Sequence, residues 1–369
     1  MQIDSPQIKL TAKKIDAILR DAGKSAEAVH LVYVKDSDPG IRRVRKGKNF
    51  FYLLGTKKIS DQQELDRIKK LVIPPAWENV WICTTENGHL QATGTDLKKR
   101  KQYLYHPLWN ALRNQTKFYR LQSFGEVLPG IRKQVKKDLA LPGLPQEKVL
   151  ALIVSLMEET NIRVGSGAYE KLYGSYGLTT LKDKHVKLSG SRLRFLFKGK
   201  KGIQHEISIN NKRFARLVKQ CRDIPGKELF QYYDESGGHK SIDSGMVNEY
   251  IKKISGQDFS AKDFRTWSGS VHSLLAFKSL GCEENEAGMK RTVVAMLDRV
   301  AKQLGNTRSV CKKYYVHPVI ISLFEEKRLR PYFDDLGYGE EKTKAAAGLS
   351  AEEKVLMKIL AKESQQIKL

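Results

Sequence analysis

The stretch "HVKLSGSRLRFLFKGKKGIQHEISI", residues 185–209, decides what kind of chain this is. It reads as three short strands joined by tight turns, with "GKKG" at 199–202 forming the second turn. The chain on either side of it is helical. Upstream, "LPQEKVLALIVSLMEET" has Pro145 at a helix start and an apolar stripe thick enough for a core helix. Helices resume downstream at "NNKRFARLVKQC", "SGMVNEYIKKI" and "AKDFRTWSGSVHSLLAFKSL". In "EAGMKRTVVAMLDRVAKQLG", Val293, Met296, Val300 and Leu304 make one face, and Gly305 ends the helix. Residues 109–337 therefore read as a mainly α-helical domain that carries a three-stranded sheet.

Toward the N-terminus the pattern changes. "HLVYV" at 30–34 alternates, "DPG" at 38–40 is a turn, and "NFFYLL" at 49–54 is a β-rich run. "DQQELDRIKKLV" at 61–72 reads as a short amphipathic helix that "IPPAW" cannot continue. "VWICTT", "ENG" and "HLQATG" then read as strand, turn and strand. Residues 31–108 form a small β-rich domain on this reading. A helical lead-in over 1–30 precedes it, with Ile8, Ile15, Ile18 and Leu19 near helical spacing. A tail over 338–369 ends the chain, and Ser350 and Glu353 offer a capping box for one more helix. The fold class expected is α+β, with no internal repeat.

Composition narrows the function. The chain has 369 residues, 66 Lys+Arg against 41 Asp+Glu, and a formal net charge of +25. Self-repulsion of that size destabilises a compact state, so it implies a polyanion partner, above all nucleic acid. Cys83, Cys221, Cys282 and Cys311 lie far apart with no CxxC pair, which argues against a zinc ribbon or a disulfide framework. The opening "MQIDSPQIKLTAKK" lacks the apolar core of a secretory signal, and no apolar run approaches the length needed to span a bilayer. A soluble, intracellular protein is expected, with no membrane partner.

Four residues stand at structural breaks where a side chain reaches a ligand. Arg163 follows the core helix in "EETNIRVGSG", and the alternative for it is a surface pair with Glu158 or Glu159. Lys200 sits in the turn "FKGKKG", where most lysines are merely solvated. Arg265 in "AKDFRTWSG" is either a planar phosphate fork or a structural stack beside Trp267. Tyr315 follows Tyr314 in "GNTRSVCKKYYVHP", with Asn306 nine positions earlier. Either one ring of that Tyr pair packs and the other faces solvent, or one phenol does chemistry. Together these types suit phenol attack on a phosphodiester. Two guanidiniums neutralise the charge that builds on the non-bridging oxygens, a neutral amide holds one of them, and a lysine protonates the leaving alkoxide. The covalent phosphotyrosine stores the bond energy, so no nucleotide is needed.

The segments "DPGIRRVRKGKNFFY", "IPPAWENVWICTTENGHLQATGTD", "KRKQYLYHP", "GSYGLTTLKDKHV", "FQYYDE", "AKDFRTW" and "LGNT…VHP" occur in order over about residues 30–335. In them the chain closely resembles the poxvirus-like bacterial type IB DNA topoisomerases. The resemblance implies Tyr315 as nucleophile, forming a 3′-phosphotyrosyl link. It implies Arg163 and Arg265 as clamps on the scissile phosphate and Lys200 as general acid. Asn306 stands where viral relatives have His, and Tyr314 falls to packing. It further implies a C-shaped clamp on double-stranded DNA, a monomer in the bacterial cytoplasm at the nucleoid, and neither cofactor nor metal. Departures are Arg308 where the family usually has Pro, "RVGS" where "RVGN" is common, and "RTWSGS" where "RTWAGT" is common.

Two basic runs with neighbouring aromatics are the expected DNA contacts of the N-terminal domain. They are Arg42, Arg43, Arg45, Lys46 and Lys48, and then Lys98, Lys99, Arg100, Lys101, Gln102, Tyr103 and Tyr105. The alternative for each is a solvated basic face. Two rival functions remain: a tyrosine site-specific recombinase, and a DNA-binding clamp without catalysis. The "PPAW…LQATG" domain is not expected in the first, and retention of all five catalytic types weighs against the second.

Overall fold

The computed structural model describes residues 21–47, 49–97, 101–281, 285–336 and 348–363. The lead-in up to residue 20, Lys48, Lys98, Lys99, Arg100, Cys282 and the opening of the tail lie outside the described residues. The chain forms two compact units, one reaching Tyr119 and the other spanning Arg120–Ser364.

The first unit begins with α1 (Ala22–Glu27), whose N-terminal amides are capped by the Asp21 carboxylate. Next come β1 (Ile41–Lys46), β2 (Asn49–Leu54), β3 (Lys57–Lys58), α2 (Gln62–Lys70), β4 (Glu78–Ile82), β5 (Leu90–Thr95) and β6 (Lys101–Tyr105). The strands make one antiparallel sheet in the order β3-β2-β1-β4-β5-β6. Ile41, Val80, Ile82 and Ala92 meet Ile68 of α2 in a small core. Arg67 ties α2 down, with a bidentate pair to Glu64 and a 2.6 Å bond to the Cys83 carbonyl. Gly94 lies so close to Trp77 that a Cβ would stand 2.8 Å from the indole. The expected β4–β5 hairpin is present. "HLVYV" is not a strand: Val32 makes one isolated parallel bridge to Gly88, and the segment pairs nowhere else. Leu31 of that segment is instead buried with Ala26, Val29, Trp109 and Leu112.

The long helix α3 (Pro107–Asp138) contains the division between the units. In the second unit, α4 (Gln146–Thr160) starts at Pro145 and is buried along most of its length, as its apolar stripe predicts. Next come α5 (Gly167–Tyr173), β7 (Val186–Ser189), β8 (Arg192–Lys198) and β9 (Gln204–Asn210). These strands form the expected three-stranded sheet in the order β7-β8-β9. Leu193, Phe195 and Phe197 of β8 point into the core, while Arg192, Arg194 and Lys198 face out. The rest is helical apart from the short hairpin β10 (Gln231–Tyr233) and β11 (His239–Ser241). Its helices are α6 (Lys212–Arg222), α7 (Ser244–Ser255), α8 (Ala261–Leu280), α9 (Glu286–Leu304), α10 (Arg308–Tyr314), α11 (Pro318–Glu325), α12 (Arg330–Phe333) and α13 (Ala351–Glu363).

α8 is the central helix, buried from Ala261 to Phe277 on nearly every face. A helix apolar on one side only cannot do this. "RTWSGSVHS" places small residues where neighbouring backbones come close. The capping box expected for the tail helix exists: the Ser350 amide donates to Glu353 at 2.8 Å, and the Glu353 amide to Ser350 Oγ at 3.3 Å. Val355, Leu356, Ile359 and Leu360 of α13 belong to the core of this unit. At roughly 1.5–3 kcal/mol for each buried aliphatic side chain, that helix is part of the fold.

Candidate active site

Four of the five expected catalytic side chains come together at the ends of helices in the second unit. α4 stops at Asn161, which takes the left-handed conformation at φ 56°. The chain then turns into the Arg163 loop. Gly177 lets that loop return on itself, because a Cβ there would stand 2.5 Å from the Arg163 carbonyl. α9 stops in the same way at Gly305, φ 56°, and delivers Asn306. Arg163 Nη2 joins the two ends, donating to Asn306 Oδ1 at 2.5 Å and to the Gly305 carbonyl at 3.0 Å.

Arg265, 4% exposed, rises from α8 between the same two ends. Its Nη1 donates to the Asn161 carbonyl and its Nη2 to the Leu304 carbonyl at 2.8 Å. These are C-terminal carbonyls with no intrahelical partner, the negative poles of α4 and α9. They hold the guanidinium without a carboxylate. The Arg265 Cζ lies 5.1 Å from the centroid of the Tyr315 ring. Tyr315 ends α10 and packs against the core. Tyr314 is half-buried with Lys313 Nζ 5.4 Å from its ring centroid, and it does not join that core. Packing therefore falls to the ring of Tyr315, where the sequence suggests Tyr314.

The electrostatics are those of a site built for an anion. Burial and the neighbouring Arg265 push the Arg163 guanidinium down to about 10, against a partial opposing pull from Tyr315 and Cys311, so it stays charged at neutral pH. Glu158 does not pair with Arg163, since it is taken by Arg132 at 2.5 Å. With Asn306 Oδ1 turned to Arg163, its Nδ2 is a buried donor without a hydrogen-bond partner among the described residues. Arg265 Nε and Asn161 Nδ2 are in the same condition. Most buried donors are paired, so three orphans around two arginines call for an acceptor from outside. Among the described residues no cluster of three or more His, Cys, Asp or Glu could hold a metal.

Lys200 stands apart from this cluster. It opens the short 3-10 turn Lys200–Gly202, is exposed, and has its Nζ 5.5 Å from the centroid of the Tyr169 ring. Arg308, the departure seven residues before Tyr315, starts α10 and pairs bidentately with Asp298 of α9 at 2.8 and 2.9 Å. That pair ties the start of α10 to α9.

Three residues at the site escape a reading of the sequence. A Cβ on Gly269 of α8 would stand 2.5 Å from the Tyr315 carbonyl, so only glycine lets α10 end there. Ser270 Oγ donates to that carbonyl at 3.4 Å and accepts from the His317 amide at 3.1 Å. His205 of β9 has its ring against Gly199 and Gly305, and its pKa is lowered by burial and then by Arg163 and Arg265. A glycine inside the strong helix pattern of α8 is the available signal for the first. His205 gives none, because one histidine in an alternating strand looks like any other.

In the first unit, Arg42, Arg45 and Lys46 are exposed on β1. Arg43 is not free for DNA: it donates to the carbonyls of Ile73, Pro74 and Trp77 at 3.2, 3.0 and 2.7 Å and lies over Phe50. This corrects its expected role to support of the 73–77 loop. Lys101 pairs with Asp36, and Gln102 Nε2 donates to Asp96 at 3.0 Å. Tyr103 and Tyr105 stack on one face of β6 at 5.9 Å, Tyr103 48% exposed. Lys48, Lys98 and Arg100 fall outside the described residues.

Comparison with known proteins agrees in both halves of the chain. The family described as eukaryotic DNA topoisomerase I, catalytic core, matches residues 99–329. The bacterial DNA topoisomerase IB N-terminal domain matches residues 49–96. DNA topoisomerase 1B of Acanthamoeba polyphaga mimivirus is 33% identical over 294 residues, covering 78% of this chain and 88% of the viral one. DNA topoisomerase 1B of vaccinia virus, strain Copenhagen, is 24% identical over 240 residues, covering 63% and 72%.

Proposed function

This chain belongs to the type IB DNA topoisomerase family, and from that premise we propose how its own residues divide the reaction. The enzyme relaxes supercoiled duplex DNA by cutting one strand through a 3′-phosphotyrosyl intermediate, letting the free end swivel, and resealing it without a nucleotide. Tyr315 Oη attacks the phosphorus and its proton passes to water. The bond from phosphorus to the 5′-oxygen breaks. Arg163 and Arg265 take the two non-bridging oxygens, and Asn306 Nδ2 donates to one of them. Lys200 gives the leaving 5′-oxygen its proton. Religation runs the same steps in reverse.

The observation that carries this assignment is the buried Arg265 and half-buried Arg163, held only by helix-end carbonyls and an amide, with orphaned donors beside them. Such a site gains most when an anion with several acceptor oxygens enters it. Asn306 cannot titrate, so proton transfer falls to Lys200. Exposed Arg42, Arg45, Lys46 and Lys101, with Tyr103 and Tyr105, serve as phosphate and groove contacts, joined by Lys48, Lys98, Arg100 and Gln102. The two units close on opposite sides of the duplex as a C-shaped clamp, with a single chain acting as a monomer in the bacterial cytoplasm. No described helix is long and apolar enough to cross a membrane.

The test is relaxation of supercoiled plasmid in EDTA without nucleotide, intact protein against Tyr315→Phe. The intact protein relaxes positive and negative supercoils. The variant binds DNA with nearly unchanged affinity and relaxes nothing. Relaxation by the variant, or no covalent adduct with the intact protein after denaturant trapping, sinks the assignment.

A further inference from the structure

His205 touches the backbone just before Lys200 and just before Asn306, two residues of the proposed proton-transfer and oxyanion machinery. Its imidazole lies flat on Phe197, centroids 4.9 Å apart and planes at 12°. A Cβ on Gly199 would stand 2.5 Å from its Cδ2, and a Cβ on Gly305 would stand 2.2 Å from its Cε1. The ring therefore fills the space between two backbones, where a Cβ at either position would collide with it. Gly199 immediately precedes Lys200, and Gly305 immediately precedes Asn306.

We propose that His205 is a positioning residue of DNA cleavage: its ring is the spacer that sets the Lys200 turn against the Asn306 cap, so that both reach one phosphate. This rests on the roles assigned above to Lys200 and Asn306. The spacer works as a flat neutral ring. Burial and then the two arginines hold it unprotonated, so it adds no third cation and does not compete for the phosphate. A rigid stack on Phe197 suits a spacer, since a displacement of about 1 Å between reacting groups costs roughly 10²-fold in rate.

The experiment is single-turnover cleavage of a duplex carrying either an ordinary phosphodiester or a 5′-bridging phosphorothiolate, with DNA affinity measured alongside. A thiolate leaves without a proton, so the second substrate bypasses Lys200. His205→Ala slows the ordinary substrate about 10²-fold at unchanged affinity and recovers on the phosphorothiolate the part of that loss that runs through Lys200. His205→Phe keeps the ring and the stack and cuts both substrates near the wild-type rate. Gly199→Ala, whose φ of −91° accommodates alanine, pushes the spacer aside and repeats the His205→Ala pattern while His205 is present. Equal loss on both substrates, or a His205→Phe variant as slow as His205→Ala, overturns the proposal. Lys200→Ala keeps the two levels apart. If the phosphorothiolate does not rescue it, the general-acid role itself fails. If it is rescued and His205→Ala is not, only the spacer fails.

Discussion

The second unit buries arginine in two places, and the two could hardly be treated more differently. Arg132 donates through Nε and Nη2 to Glu158 Oε1 at 2.8 and 2.5 Å, and through Nη1 and Nη2 to the two oxygens of Glu353 at 2.8 and 2.7 Å. Its Nη1 also reaches the Gly348 carbonyl at 2.5 Å. These partners drive its pKa above the ordinary guanidinium value despite burial. Glu353 accepts in turn from Trp267 Nε1 at 2.9 Å and from the Ser350 amide at 2.8 Å. Arg163 and Arg265 have only neutral oxygens, and burial together with their mutual repulsion depresses Arg163. The two places share their helices: α4 supplies Glu158 to one and Asn161 to the other, and α8 supplies Trp267 and Arg265. A cation that serves the fold brings its own anion. One that serves the reaction proposed above leaves that position to the substrate.

The sharpest way to break this comparison is to delete each cation and read stability and activity separately. Arg132→Ala strands the Glu353 carboxylate, 10% exposed, and leaves the half-buried Glu158 without this partner, and should cost roughly 3 kcal/mol in denaturant unfolding. Activity then falls only as far as the protein unfolds. The C-terminal helix is the far side of this clip, so truncation before Gly348 should do the same damage. A stable Arg132→Ala protein with defective cleavage would place this arginine in the reaction instead.

Arg265→Ala should do the opposite. Removing it relieves repulsion with Arg163 and leaves no carboxylate behind, so the unfolding free energy should change much less than for Arg132→Ala. Cleavage should fall about 10²–10³-fold, the usual cost of losing one preorganised donor to a developing oxyanion. Arg265→Lys should recover little, because a point charge cannot reach the Asn161 and Leu304 carbonyls and a phosphate oxygen together. Full activity in either variant would remove Arg265 from the phosphate clamp.

A smaller effect tests the floor beneath Tyr315, the proposed nucleophile. Gly269→Ala puts a methyl group 2.5 Å from the Tyr315 carbonyl, which is backbone and cannot swing away. Overpacking of this kind costs roughly 1–3 kcal/mol, and tilting the end of α10 should slow cleavage about tenfold to a hundredfold. Gly130→Ala on α3 meets nothing within 4 Å and serves as the silent control.

These contrasts also mark how much of the molecule its amino-acid sequence reveals. Elements with strong local signals are legible: "NFFYLL" is β2 from end to end, the three strands of 185–209 pair as expected, and Gly305 stops α9. The structure also brings together Arg163, Arg265, Asn306 and Tyr315, the residues that the family resemblance singles out. Partnership across long separations is not legible. Nothing local to Glu158 says that it pairs with Arg132 rather than Arg163, and nothing local to Arg43 reserves it for carbonyls some thirty residues away. "HLVYV" misleads for the same reason, since alternation does not supply a neighbouring strand. The role of position 205 depends on two glycines from distant loops meeting one ring.

The mildest change bears on which phenol attacks. Tyr314 and Tyr315 are adjacent on one chain, yet only Tyr315 lies under Arg265 and against the core. The Tyr314 carbonyl accepts from Thr266 Oγ1 at 3.5 Å, a contact made by the backbone and kept by any side chain. Its ring meets Lys313, and phenylalanine keeps that face. Tyr314→Phe should therefore relax plasmid within about twofold of the intact enzyme, the rate equivalent of a surface change of about 0.5 kcal/mol. The double variant with Tyr315→Phe should match Tyr315→Phe alone. Were Tyr314→Phe as inactive as Tyr315→Phe, the arginine pair would be aimed at the wrong ring. The contrast between cations that bring an anion and cations that await one would then have to be rebuilt around Tyr314.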